Sequence, residues 1–181
     1  MVDQPVPDRV TDRRAKVPRS AAVAGPYGHP FHPILVTVPI GAWVASLVFD
    51  IGSRVAGQND FLARGSLWLI GIGLIGAVVA GVAGIFDLFS IPSGTPAFRT
   101  GLLHMSINFA VIAMYFVNWI WRNSLSDKDT VPSGPLVWSI FSLALLGLSG
   151  YLGGKLAFRY GVRVADEETQ AEGFRDKDPQ L

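Results

Sequence analysis

The chain has 181 residues, half of them hydrophobic and 16% charged, with a mean hydropathy of +0.38 and a formal net charge of +1. That profile lies outside the usual soluble range and marks a membrane protein. Near-neutral charge gathered in tails and short loops leaves no basic stripe for nucleic acid. Cysteine is absent, which excludes disulfides, thiolate nucleophiles, Cys-ligated zinc and Cys-held iron–sulfur clusters; any metal must rest on His, Asp, Asn or Met.

Residues 1–27 hold Asp3, Asp8, Arg9, Asp12, Arg13, Arg14, Lys16 and Arg19 among prolines and small residues, which reads as a disordered tail. The charged sequence ahead of Ala21 to Ala24 argues against a cleaved signal peptide. A four-span transmembrane domain is then expected over 28–164, with an acidic disordered tail over 165–181.

The first span opens at the stretch GHPFHP, Gly28 to Pro33, which holds two of the three histidines, and continues uncharged for 17 residues from Pro33 to Phe49. A helix over about 33–52 just crosses a hydrocarbon core roughly 30 Å thick. Pro33 suits a first turn, and Pro39 removes a backbone bond and predicts a kink near the entrance. Gly65 to Phe86 gives 22 uncharged residues and a helix over about 65–89. Its Gly76, Ala80 and Gly84 recur at the four-residue spacing that lets transmembrane backbones approach closely. The third helix, about 100–121, carries His104 in its first turn and Trp119 and Trp121 where an aromatic belt belongs. A fourth, about 134–157, has Gly147, Gly150 and Gly154 as close-packing positions. Short connections make sequential helices antiparallel, so the expected fold is an all-α integral membrane four-helix bundle.

Lysine and arginine divide nine to four between the two sides, with the N-tail, Arg99, Lys155, Arg159 and Arg163 on the richer one. The positive-inside rule therefore predicts a multi-pass protein of the bacterial inner membrane with both termini cytoplasmic. On that topology His29, His32, Asp87 and His104 share one membrane face, and Asn108, four residues after His104, points the same way. Arg99, Lys155 and Arg159 lie at similar depth. Ionisable groups at membrane depth usually face the bundle interior and mark functional sites.

Three readings compete for this cluster. Neutral imidazoles with a carboxylate make a sensible shell for a transition metal ion, from His29, His32, Asp87 and His104. Alternatively His104 and one of His29 or His32 are axial ligands of haem b. Against these stands a structural role, with the histidines fixing helix ends and Asp87 paired with Arg99 or Lys155. Asp50 follows Ala42 and Ser46 at four-residue spacing and reads as a partner of Arg54 or Arg64 in preference to a buried proton relay. No nucleophile elbow, triad or phosphate loop is present, which gives no support to a hydrolase or nucleotide-binding reading and points away from catalytic activity of the chain's own.

GHPFHPILVTVPIGAWVASLVFDI, the glycine-rich second helix ending GIFDLFSIP, then RTGLLHMSIN and GYLGGKLAFRYGVRV occur in that order between Gly28 and Val164. Together they resemble the bacterial membrane-protein family labelled domain of unknown function 2231. The resemblance implies a four-helix inner-membrane protein with no assigned activity, some of whose relatives are joined to a Rieske-type domain. It also implies motif positions at His29, Pro30, His32, Pro33, Asp50, Asp87, His104 and Asn108. The expected function is a His/Asp site binding a metal or haem in support of electron transfer, served by a redox protein partner because this chain has no cysteine. The alternative is a non-catalytic membrane scaffold or assembly subunit, in which the small face of the second helix binds a partner protein. Beyond the lipid bilayer itself, a homo-oligomer is a further expected association, and a transporter ranks behind both readings because four short spans leave little pathway.

Overall fold

The computed structural model describes residues 15–16, 28–56, 60–125 and 130–174. Among them the chain forms α1 (Phe31–Leu35), α2 (Thr37–Val55), α3 (Asp60–Leu88), α4 (Pro96–Asn123), α5 (Ser133–Gly154), a π-helical turn (Lys155–Arg159) and a short α6 (Glu167–Glu172). With α1 and α2 taken as one span, and α5 with its π turn as another, four helices are long and apolar enough to cross a membrane. The described residues contain no strand. The expected all-α, four-helix membrane bundle is the architecture observed.

Local chemistry accounts for the helix ends. The break between α1 and α2 falls at Val36, where Pro39 lacks the N–H that would bond the Leu35 carbonyl. The second span begins at Asp60, five residues before the expected start. Asp60 sits favourably on the helix N-terminus and pairs with Arg64 one turn on at 3.1 Å. The third begins at Pro96 because Thr95 caps it, accepting the Phe98 N–H at 3.1 Å, with proline in the first turn. After α5 the ladder widens by one residue, Tyr160 N–H donating to Lys155 O at 3.2 Å. Within the stretch 165–181, Glu167–Glu172 forms the short α6, capped by Asp166, which accepts the Thr169 N–H at 2.8 Å. Most of the expected N-terminal tail, and residues 175–181, lie outside the described residues.

Two antiparallel hairpins, α2 with α3 and α4 with α5, pack side by side and close through α3–α4 and α2–α5 contacts. Polarity inside them is the reverse of a soluble bundle. Ser46, Asp50, Ser53, Ser66, Asn118, Ser139 and Ser142 are fully buried, while Val48, Trp68, Ile75, Phe141 and many other large apolar side chains are exposed. Lipid favours that arrangement: tails solvate apolar side chains as well as a core does, so small and polar residues go to the helix contacts. Midway along the bundle Trp43 and Tyr115 stack, ring centroids 4.1 Å apart and 7° from parallel, among Ile70, Ala77 and Val111. Trp43 Nε1 donates to Ile70 O at 3.3 Å, and Gly73 leaves room for its indole, since a Cβ there would lie 2.2 Å from Nε1. The small face of α3 is used within the chain as well. A Cβ on Gly76 would meet Val38 at 2.8 Å and one on Gly84 would meet His32 at 3.0 Å. The expectation that this face receives a partner protein is therefore corrected: α1 and α2 already cover it.

Candidate functional site

At one end of the bundle, His32 and His104 come together from the first and third spans, their rings 6.3 Å apart between centroids and 88° from parallel. Each ring is set by a neighbouring helix. His32 Nδ1–H donates to Ala80 O on α3 at 2.8 Å, and His104 Nδ1–H donates to Ser149 O on α5 at 2.9 Å, with Ser149 Oγ 3.0 Å from the same nitrogen. A carbonyl can only accept, so both imidazoles carry their proton on Nδ1 and, when neutral, a bare Nε2. Glycine makes both seats. The ring of His32 lies over Gly84, and His104 Cε1 would be 3.2 Å from a Cβ on Gly153.

Asn108 stands one turn below His104, as the i, i+4 spacing requires. Its amide donates to His104 O at 2.9 Å and to Nε2 at 3.1 Å. Asp87 ends α3 within electrostatic reach of His32, but its hydrogen-bonded partner is Arg163, whose Nε donates to Oδ1 at 2.8 Å. The expected pairing with Arg99 or Lys155 is thus replaced. Arg163 reaches Asp87 because the chain turns back after the π segment with Gly161 at φ 65° and Arg163 itself at φ 59°. Arg163 N–H meanwhile donates to Ala15 O at 2.9 Å. His29 Nδ1 faces the carbonyl of Pro30 at 2.9 Å. Of the four residues expected on one face, the structure brings His32 and His104 together and sets Asp87 within electrostatic reach of His32. Among the described residues no group of three or more His, Asp or Glu side chains is arranged around one metal position.

A second polar cluster, missed by residue-by-residue reading, occupies the opposite end. Asp50 is fully buried and its partner is Arg122, neither Arg54 nor Arg64. Arg54 instead donates to Val131 O at 2.8 Å and to Ser133 Oγ at 3.1 Å, and Arg64 pairs with Asp60. The Arg122 guanidinium grips both Asp50 oxygens at 2.6 Å each. Its remaining N–H groups reach Ser66 Oγ at 2.9 Å, Ser139 Oγ at 3.0 Å and Asn118 Oδ1 at 3.0 Å. Ser66 Oγ also donates to Asp50 Oδ1, and Asn118 Nδ2 to Ser139 Oγ at 2.9 Å. All four spans contribute, and all five guanidinium donors are used. Such a cluster binds the helices together and leaves no donor for a ligand.

A family model described as "Predicted membrane protein (DUF2231)" matches residues 28–166. No curated protein and no solved structure matches the chain.

Proposed function

The chain belongs to the DUF2231 family of predicted membrane proteins, and from that premise we propose that His32 and His104 hold a transition-metal centre in support of electron transfer. The observation that carries this is the pair itself: two adjacent imidazoles, each with Nδ1–H bonded to a carbonyl of the next helix. That second contact is the one metal-ligating histidines ordinarily make; it fixes the tautomer and makes Nε2 the more basic donor.

Donor number favours haem iron over a bare ion. A structural or catalytic ion takes at least three protein ligands, whereas a haem b brings four nitrogens and asks the protein for two. The two rings lie 6.3 Å apart between centroids, which makes both available to one centre. When bound, haem supplies one-electron transfer at a potential set by its axial ligands and surroundings. The chain's own residues would ligate through Nε2, with the Asn108 amide giving up its contact to His104, while the Asp87–Arg163 pair sets the charge beside His32. Asp87 is committed to Arg163 and serves as that charge, not as a ligand; His29 has no ligand role in this reading. The bias of Lys and Arg supports a cytoplasmic position for this end in a bacterial inner membrane, where a separate redox protein would exchange the electron.

The test is the reduced-minus-oxidised absorption spectrum of detergent-purified protein, with pyridine haemochrome quantification. A low-spin bis-imidazole spectrum at about one haem per chain, lost in both His32→Ala and His104→Ala, is expected. A spectrum unchanged in either variant, or a colourless wild type, overturns the proposal. A scaffold reading draws on the same contacts: each imidazole ties one helix to its neighbour, and Asn108 already meets His104 Nε2. On that account the histidine variants lose stability and no cofactor.

A further inference from the structure

The cations of the two ends are treated differently. At the Asp50 end Arg54, Arg64 and Arg122 are each engaged by carbonyls, hydroxyls or carboxylates of the chain. At the histidine end Arg163 is paired with Asp87, whereas no carboxylate among the described residues pairs with Arg99, Lys155 or Arg159. Two of these three share a shallow surface groove lined by Tyr151, Gly154, Lys155, Phe158 and Arg159. The π turn runs from Lys155 to Arg159, and a four-residue step over about one turn keeps both side chains on one side of the helix. Gly154 keeps the floor low. The aromatic walls are open to the surroundings, Tyr151 at 70% and Phe158 at 93% exposure, and Lys155 Nζ stands 5.6 Å from the Tyr160 ring centroid.

Position decides what such a groove meets. It lies where the fourth span ends, at the depth where aromatic rings settle among head groups and basic side chains extend out of the hydrocarbon. A phosphate would meet two cations held one turn apart, and acyl chains would meet Tyr151 and Phe158. We infer that the Tyr151–Arg159 groove binds the phosphate head group of an anionic phospholipid, with Lys155 and Arg159 as the phosphate contacts and Phe158 against its chains. Basic pockets at the ends of transmembrane helices hold such head groups by this combination, each cation near the surface strengthening the attraction.

The inference is tested by native mass spectrometry of the full chain released from detergent doped with equal phosphatidylglycerol and phosphatidylcholine. Wild type is expected to retain about one phosphatidylglycerol in preference to phosphatidylcholine, and Lys155→Gln with Arg159→Gln to retain it roughly thirtyfold less well. Arg99→Gln, which removes one charge from the same end outside the groove, is expected to change retention less than twofold. Gly154→Leu keeps both cations but fills the floor, and should also release the lipid, so the claim stands testable if the double variant fails to fold. Equal retention by the double variant, equal loss in Arg99→Gln, or no preference for phosphatidylglycerol in wild type would each overturn the assignment. Millimolar inorganic phosphate displacing the lipid completely would overturn it too, since the site would then belong to the free anion.

Discussion

At the Asp50 end a buried guanidinium gives all five of its donors to the chain, while at the histidine end two imidazoles give one nitrogen each to helix carbonyls and the second nitrogen of His104 accepts the Asn108 amide. The first arrangement is complete without a ligand. Its elements come from all four spans, so it specifies one arrangement of the helices and does nothing further. The second holds its rings in place through glycine seats and backbone acceptors, and on the proposed function their Nε2 atoms are the ligating donors. Burial of polar groups is therefore no guide to function in this bundle; what distinguishes the ends is whether the polar groups satisfy one another.

Breaking the complete end should have the largest effect. Arg122→Met leaves Asp50 buried without its counter-charge and is expected to destabilise the detergent-solubilised bundle by about 3 to 5 kcal/mol, read as the midpoint of denaturant unfolding. Asp50→Asn with Arg122→Gln should recover part of that loss, because no net charge is then stranded. Next comes overpacking of the mid-bundle stack: Gly73→Ala pushes a methyl into the Trp43 indole and should cost about 1 to 3 kcal/mol, with a change in tryptophan fluorescence. At the histidine end Asp87→Asn takes the counter-charge from Arg163, whose side chain is 4% exposed, and is expected to cost about 1 to 3 kcal/mol while shifting the potential of any bound centre measured by redox titration. His104→Ala removes one interhelical hydrogen bond and should lower stability by only about 1 kcal/mol, yet abolish cofactor content. Stability loss comparable to Arg122→Met would make the two ends alike and erase the distinction.

The four spans were legible because transmembrane segments announce themselves by length and absence of charge, and the His32–His104 meeting was legible because antiparallel order alternates the ends. Asn108 beside His104 followed from helical periodicity alone. Asp50 shows where that reasoning stopped. Proximity in sequence points to Arg54 and Arg64 as its partners, although the same alternation of ends that joins the histidines also puts Asp50, Ser66, Arg122 and Ser139 at one level. Arg122, next to Trp121, reads in sequence as an interfacial charge; only the packing of the third span against the others turns it inward. Asp87 went astray for a different reason. Its partner Arg163 lies beyond the last span and reaches it through two successive departures from helix, at Gly161 and at Arg163 itself, which no periodicity encodes. The small face of α3 was visible as a close-packing surface, but nothing in the spacing says whether a neighbouring span or another protein covers it.

The most direct measurement of the central claim is iron per chain, by elemental analysis of purified wild type beside His32→Ala, His104→Ala and Arg122→Gln that remains folded. The account predicts near-stoichiometric iron in wild type and in the Arg122 variant and none in either histidine variant. Iron absent from wild type, or retained when His104 is removed, would contradict it and leave the His32–His104 pair as a clamp between helices.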